Sequence, residues 1–148
     1  MLDFRNSKKT GIFLYYLLWP LVWIYAPLFV RVRVLLVVYV EVAVVKIWFG
    51  PNSWQLPGGG VKKNEKVALA ATREIREELG YQMDASTLQR LTQKPLLLSS
   101  GGIFYRYHYV LYKLDKKPTL SVSHGITDTN WVGLSSLSMP KAIHSRAL

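Results

Sequence analysis

From Thr10 to Val30 the chain carries no charged side chain. A run of about 21 residues is long enough, as a helix, to cross a hydrocarbon core of roughly 30 Å. Lys8 and Lys9 precede it, Arg31 and Arg33 follow it, and Tyr and Trp residues recur along it as interfacial anchors do. Pro20 and Pro27 each remove a helix hydrogen bond, a loss that membrane helices tolerate better than soluble ones. The blander alternatives are a signal peptide or an apolar segment packed on the domain. The run is long for a signal peptide, and no A-x-A pattern stands near Ala26. The hydropathy therefore predicts a transmembrane or membrane-anchoring helix within residues 1–30, with residues 31–148 forming a separate domain.

The pattern then changes period. Arg31 to Phe49 is dense in β-branched and aromatic residues and reads as strand, but it is too long for one ordinary strand. Two strands reversing near Tyr39 to Val42 are expected, although no Gly, Asn or Asp marks the turn. Gly50 to Ser53 and Leu56 to Gly60 read as loops. Asn64 is placed to cap a helix from Glu65 to Leu79, which Gly80 ends. Leu96 to Ser99 reads as a short strand, Ile103 to Leu114 as a long aromatic one, and Asp128 to Val132 as a last one. A short helix is expected to begin near Leu134. Strands interleaved with helices predict an α/β fold of the α+β kind.

Charge and composition narrow the picture. The chain has 148 residues and no cysteine, which excludes disulfides and thiolate metal sites. Its net charge of +10 suits polyanionic ligands or an anionic lipid face. A nucleic-acid-binding role rests on that charge alone, since no long basic run and no recognised motif accompanies it.

The few acids are not scattered. Glu74, Glu77 and Glu78 stand at i, i+3 and i+4 and share one helix face, where like charges cost roughly 0.2–0.5 kcal/mol per pair. They also occupy the last turn, where the helix dipole disfavours anions. Read as structure alone, the triplet is a solvated acidic face. Read as chemistry, oxygen ligands without His or Cys point to magnesium or manganese. The glycines at Gly58 to Gly60 would let a backbone carbonyl approach such an ion closely.

The spacing decides between these readings. Gly59, five residues, Glu65, seven residues, then Arg73-Glu74-Ile75-Arg76-Glu77-Glu78-Leu79-Gly80-Tyr81 resembles the Nudix box, G-x5-E-x7-R-E-U-x-E-E-x-G-U, with Tyr81 aromatic where U is usually aliphatic. Chance would produce it roughly once in ten million chains of this length. Trp54 to Gly60 resembles the usual approach to the box, and Trp131 with Leu134 and Leu137 the usual C-terminal end.

The resemblance implies a Nudix-like mixed sheet sandwiched by helices. It implies magnesium, or manganese in its place, held by Glu74, Glu77, Glu78 and the Gly59 carbonyl. Arg73 would orient the carboxylates, Glu65 and Gly80 would support the loop and helix, and one of the helix glutamates, Glu74 by preference, or a residue elsewhere would be the general base. The reaction implied is attack of metal-activated water on a diphosphate in a nucleoside diphosphate linked to another group. Many relatives place a Glu where this chain has Gly125. Asp128 or His124 could substitute, though a surface Asp and a surface His are the blander readings.

On the substrate side, Tyr105, Arg106 and Tyr107 could stack a base and meet phosphate, while alternate aromatics of a strand more often fill the core. A homodimer is allowed and no nucleic-acid partner is expected. The charges flanking the apolar run nearly balance and do not orient it. A single-pass arrangement with a cytoplasmic catalytic domain is expected because nucleotides and free magnesium are there. The rival reading is a membrane-tethered domain that binds or senses nucleotide without turnover.

Overall fold

The structure, a computed structural model, describes residues 8–50, 52–100, 102–123, 125–138, 140 and 143. His124 lies outside the described residues. Among the described residues nine helices and strands form in chain order: α1 (Lys8–Leu17), α2 (Trp19–Tyr25), β1 (Val30–Val38), β2 (Glu41–Ile47), α3 (Val67–Leu79), β3 (Gln89–Arg90), β4 (Leu96–Ser100), β5 (Ile103–Leu114) and β6 (Ile126–Gly133). Short 3₁₀ turns occupy Ala26–Leu28, Ala85–Thr87 and Leu134–Ser136.

The six strands make one mixed sheet in the order β3-β5-β1-β2-β6, with β4 also paired to β5. β1 runs parallel to β5 from Val30 opposite Arg106 to Val38 opposite Leu114, and antiparallel to β2. Seven consecutive residues of β1, Val32 to Val38, are buried. That is the signature of a central strand covered on both faces. The hairpin between β1 and β2 turns on Tyr39 and Val40, with Val38 opposite Glu41. Tyr39 supplies the positive φ of 54° that such a turn requires.

One face of the sheet packs on α3. Ala70, Ala71, Ile75 and Leu79 are buried against Val32, Val34, Leu36, Ala43 and Val45. Burying Ile75 and Leu79 stabilises by roughly 1.5–3 kcal/mol each, and the two alanines let the helix approach closely. The start of α3 differs from the sequence expectation. Its N-cap is Lys66, without a side-chain cap, while Asn64 sits in the turn before it at φ 64°. Asn64 is used there because it tolerates the left-handed region. At the other end Gly80 takes φ 63° and closes the helix, its N–H donating to the Arg76 carbonyl. The exposed carbonyls of Glu78 and Leu79 accept from Ser123 and Ser121, which fastens the stretch leading into β6 to the end of α3.

The other face is covered by the N-terminal segment, by the 3₁₀ turn at Leu134 and by Ile143, around Leu35, Val37, Tyr105, Tyr107, Tyr109 and Leu111. A single spanning helix does not form over residues 10–30. Instead α1 and the stretch from Trp19 to Leu28 meet at 68°. Pro20 lies in the first turn of α2, where it has no N–H to continue the α1 ladder. No single helix among the described residues is long and apolar enough to cross a membrane; the bent pair meets the test of length and composition only when taken together.

Candidate active site

The loop from Gln55 to Val61 is laid along β1 by backbone hydrogen bonds. Val34 N donates to the Pro57 carbonyl at 2.9 Å, Val32 N to the Gly59 carbonyl at 2.8 Å, and Val61 N to the Val30 carbonyl at 2.9 Å. The contact is so close that a Cβ on Gly58, which sits at φ 128°, would strike the Val32 carbonyl. A Cβ on Gly59 would strike the Glu74 carboxylate. Gly58 therefore demands glycine, whereas at Gly59 a side chain would displace the Glu74 carboxylate.

Arg73 ties this loop to α3. Its Nε and Nη2 donate to the two Glu65 oxygens at 2.9 Å each, Nη2 also reaches the Gly60 carbonyl at 2.8 Å, and Nη1 reaches Glu74 Oε1 at 2.6 Å and Glu77 Oε2 at 3.4 Å. Glu65 also accepts from Lys62 N at 2.8 Å. Those donors, Arg73 foremost, hold the Glu65 carboxyl down at about 2. Glu78 Oε2 accepts from Gly58 N at 2.8 Å. Burial pushes the Glu78 carboxyl up to about 7, against the pull of the Gly58 N–H and Arg33, with Glu74 and Glu77 pushing the same way as burial.

The glycine loop, Glu78, Arg31 and Arg33 line a cavity of about 360 Å³ that Phe29 and Val30 border on one side. Arg33 is 8% exposed and donates to the Leu56 carbonyl at 2.9 Å, the Gly58 carbonyl at 3.1 Å and Gln55 Oε1 at 3.0 Å. Its guanidinium lies 5.2 Å from the Tyr107 ring centre, and that of Arg31 lies 5.0 Å from the Tyr105 ring. Neither arginine forms an ion pair with a carboxylate among the described residues. A second cavity of about 540 Å³ shares Arg33 and Gln55 with the first and continues past Trp54, Tyr107, Tyr109 and Ser99. Burial pushes the Tyr109 phenol up to about 12, so its hydroxyl stays neutral there.

The donor set can be tested against a divalent cation. Among the described residues no three acidic or histidine side chains already converge as a closed cage. Glu74 and Glu78 flank the glycine loop, while the Glu77 side chain is 52% exposed at the rim. The Gly59 carbonyl accepts from Val32 N and keeps its second lone pair. A hydrated, octahedral cation needs only one or two carboxylates beside waters and phosphate oxygens. The oxygen-only set fits that kind of ion and no thiolate or imidazole metal.

A NUDIX domain model matches residues 29–147. The chain belongs to the NUDIX domain family. Over 69 residues this Nudix domain is 36% identical to an RNA pyrophosphohydrolase of Haemophilus influenzae, a match covering 47% of the chain and 32% of the relative. The chain thus spans about a third of the length of the curated relatives it matches. The fold is shared with a MutT NUDIX hydrolase from Burkholderia pseudomallei at a TM-score of 0.62 and 23% identity, over 81% of this chain and 97% of that one. It is shared also with a bifunctional NMN adenylyltransferase/ADP ribose pyrophosphatase from Francisella tularensis, crystallised with AMP and a manganese ion, at a TM-score of 0.62 and 25% identity over 87% and 40% of the two chains. Nudix hydrolases generally use a divalent metal.

Within this Nudix domain the structure brings Gly59, Glu65, Arg73, Glu74 and Glu78 together and leaves Glu77 at the edge, within reach of Arg73. Tyr105, Tyr107 and Arg106 separate: the two tyrosines lie in the cluster opposite α3, whereas Arg106 alternates to the other face and is exposed. Of these three, only Tyr107 lines a described cavity. Asp128 is exposed and accepts from the N–H of its neighbour Thr129 at 2.9 Å, away from both cavities. Gly125 spends its carbonyl on Trp48 N. In the sequence alone Arg31 and Arg33 stand as charges flanking an apolar run. Their spacing of two in a strand, on one face of an otherwise apolar run, was the available sign that both point into one site.

Proposed function

We propose that this Nudix domain hydrolyses the diphosphate bond of a nucleoside diphosphate linked to another moiety, using magnesium, with manganese as substitute. The observation that carries the reading is the two-walled cavity: two arginines that form no ion pair among the described residues face a glycine loop backed by helix carboxylates. Such a pocket accepts a polyanion on the arginine side and a cation on the acidic side.

Glu74, Glu77, Glu78 and the Gly59 carbonyl would hold the cation. When bound, the ion supplies a lowered pKa for water and neutralises charge on phosphate oxygens. The chain's own residues do the rest. Arg31 and Arg33 orient the diphosphate, and Arg33 does so from a position fixed by three hydrogen bonds to the loop. Water adds its oxygen to one phosphorus as the bridging P–O bond breaks, and the electron pair leaves on the bridging oxygen. We assign the departing proton to Glu74, because Arg73 fixes that carboxylate against Gly59 while Glu77 stands half exposed at the rim. The 540 Å³ cavity takes the organic part of the substrate beside Trp54 and Tyr107.

The N-terminal segment is the proposed attachment to a membrane, with the catalytic domain on the cytoplasmic side where nucleotides and magnesium are. Gly125, in place of an acidic residue, favours a second reading, a tethered domain that binds nucleotide without turnover. One experiment separates the two. Purified full-length chain with magnesium is offered ADP-ribose, nucleotide sugars, a dinucleoside polyphosphate and a 5′-triphosphorylated RNA, with products identified by mass spectrometry. Cleavage that Glu77→Gln abolishes supports the hydrolase. Tight binding with no product from any of them would leave the second reading standing.

A further inference from the structure

Gly11, Tyr15, Trp19, Val22 and Ala26 recur at intervals of three or four and form the inner seam of the N-terminal helix pair. A Cβ on Gly11 would strike the Trp48 carbonyl, so α1 rests directly on the backbone after β2. Tyr15 packs edge-on to Phe49 at 5.5 Å between ring centres, and Trp19 and Val22 pack against the core cluster that contains Tyr15 and Ala26. The segment is therefore attached to the domain along its length.

Its outer face is equally apolar and stays uncovered by the described residues. Tyr16, Leu17, Leu21, Trp23, Ile24 and Leu28 are each more than half exposed. A surface helix whose outer face faced water would carry charge there, and this one carries none from Thr10 to Val30. An exposed apolar face built of adjacent large side chains marks a docking surface.

Charge selects the occupant. Lys8 and Lys9 stand at the start of the apolar run, on a chain of net charge +10. A second copy would bring two strongly basic surfaces together, whereas anionic headgroups are attracted to them. Tyr and Trp among aliphatic side chains suit the headgroup boundary. The 68° bend and the occupied inner seam suit a segment lying in the surface plane rather than crossing it.

We infer that the outer face of α1 and α2 seats the protein in the plane of an anionic lipid surface. The exposed Phe29 and the adjoining Val30 continue this face to the rim of the 360 Å³ cavity, next to Arg31. If the diphosphate reading above holds, on which this clause rests, the seated site opens at headgroup level, where a diphosphate borne on a lipid presents its phosphates.

The test uses the full chain and vesicles of phosphatidylcholine with or without phosphatidylglycerol. Flotation with the anionic vesicles, weakened by roughly tenfold in neutral ones or in high salt, is expected, as is quenching of tryptophan fluorescence by lipids brominated near the headgroup. Leu21→Glu with Ile24→Glu is expected to abolish flotation while leaving circular dichroism and hydrolysis of soluble substrates unchanged. The quenching arm needs no variant and holds if that one fails to fold. Absence of flotation overturns the inference. So does a stable dimer in solution that does not bind vesicles, and so does resistance to alkaline extraction, the mark of a true span. Hydrolysis of soluble nucleotides is scored separately, so loss of one reading is distinguishable from loss of the other.

Discussion

Arg73 and Glu65 form a two-pronged ion pair, Nε to Oε1 and Nη2 to Oε2 at 2.9 Å each, between residues eight apart in sequence. Because Nη1 of the same guanidinium holds Glu74 and Nη2 also reaches the Gly60 carbonyl, this pair joins the glycine loop to the acidic face of α3. Lysine offers a single point charge and cannot make the fork. Arg73→Lys is expected to cost about 1–3 kcal/mol of stability and to lower kcat by roughly a hundredfold or more through misplacement of Glu74. Urea unfolding and steady-state kinetics on one preparation check both numbers.

The same pair sets an acid limit. The Glu65 carboxyl is depressed from 4.5 to about 2 in the folded protein, chiefly by Arg73 and then by Lys62 N. A depressed carboxylate binds fewer protons folded than unfolded. Its stabilisation is therefore fully present above about pH 4.5 and is lost as pH falls towards 2. Glu65→Gln should be less stable than the parent at pH 7, and the gap should close between pH 4.5 and 2. Thermal unfolding followed across that interval, with the gap unchanged, would assign the stabilisation elsewhere.

Gly59→Ala separates position from charge. Its Cβ would occupy the space of the Glu74 carboxylate, so that side chain must swing away while every charge is retained. Activity is expected to fall by roughly a hundredfold or more, and the magnesium concentration for half-maximal activity to rise. A variant with parental magnesium dependence would remove Glu74 from the site.

The parts of the site legible in the sequence were those that a single helix and its preceding loop bring together. Arg73, Glu74 and Glu78 need only helical geometry to meet, and Glu65 joins them from the turn that leads into α3. The spacing of Arg31 and Arg33 shows that they share one strand face, but the parallel pairing of β1 with β5 is what sets that face beside Tyr105 and Tyr107. The separation of Arg106 from those tyrosines follows from strand alternation and was available in the sequence. Hydropathy alone saw residues 10–30 as one span; the inner seam on Tyr105 and its neighbours exists only once the sheet is formed. β3 has two residues, too few for any periodic signal.

The β1–β2 turn was hard to read because Tyr39 occupies a position that usually shows Gly or Asn. At φ 54° and 84% exposed, its side chain gains no burial to offset the strain. Tyr39→Gly is expected to stabilise by about 1 kcal/mol, measured as a higher urea midpoint at unchanged slope. A lower midpoint would show that the ring contributes more than the strain costs.

The two arginines of the cavity make a last contrast. Arg33 is buried and donates to the carbonyls of Leu56 and Gly58 and to Gln55 Oε1, so its removal orphans loop acceptors. Arg31 is only part-buried, and its guanidinium lies over the Tyr105 ring. Arg33→Ala should therefore lose both stability, by roughly 2–4 kcal/mol, and activity. Arg31→Ala should unfold nearly as the parent does but lose roughly ten- to a hundredfold in kcat/KM, the worth of one charge-assisted contact to phosphate. Because that contact exists only with substrate bound, added guanidinium ion should restore part of the loss in Arg31→Ala and none in Arg33→Ala, where the loop itself has lost its support. Equal unfolding midpoints with equal kinetics for Arg31→Ala and the parent would place the diphosphate elsewhere than in the cavity beside Gly59.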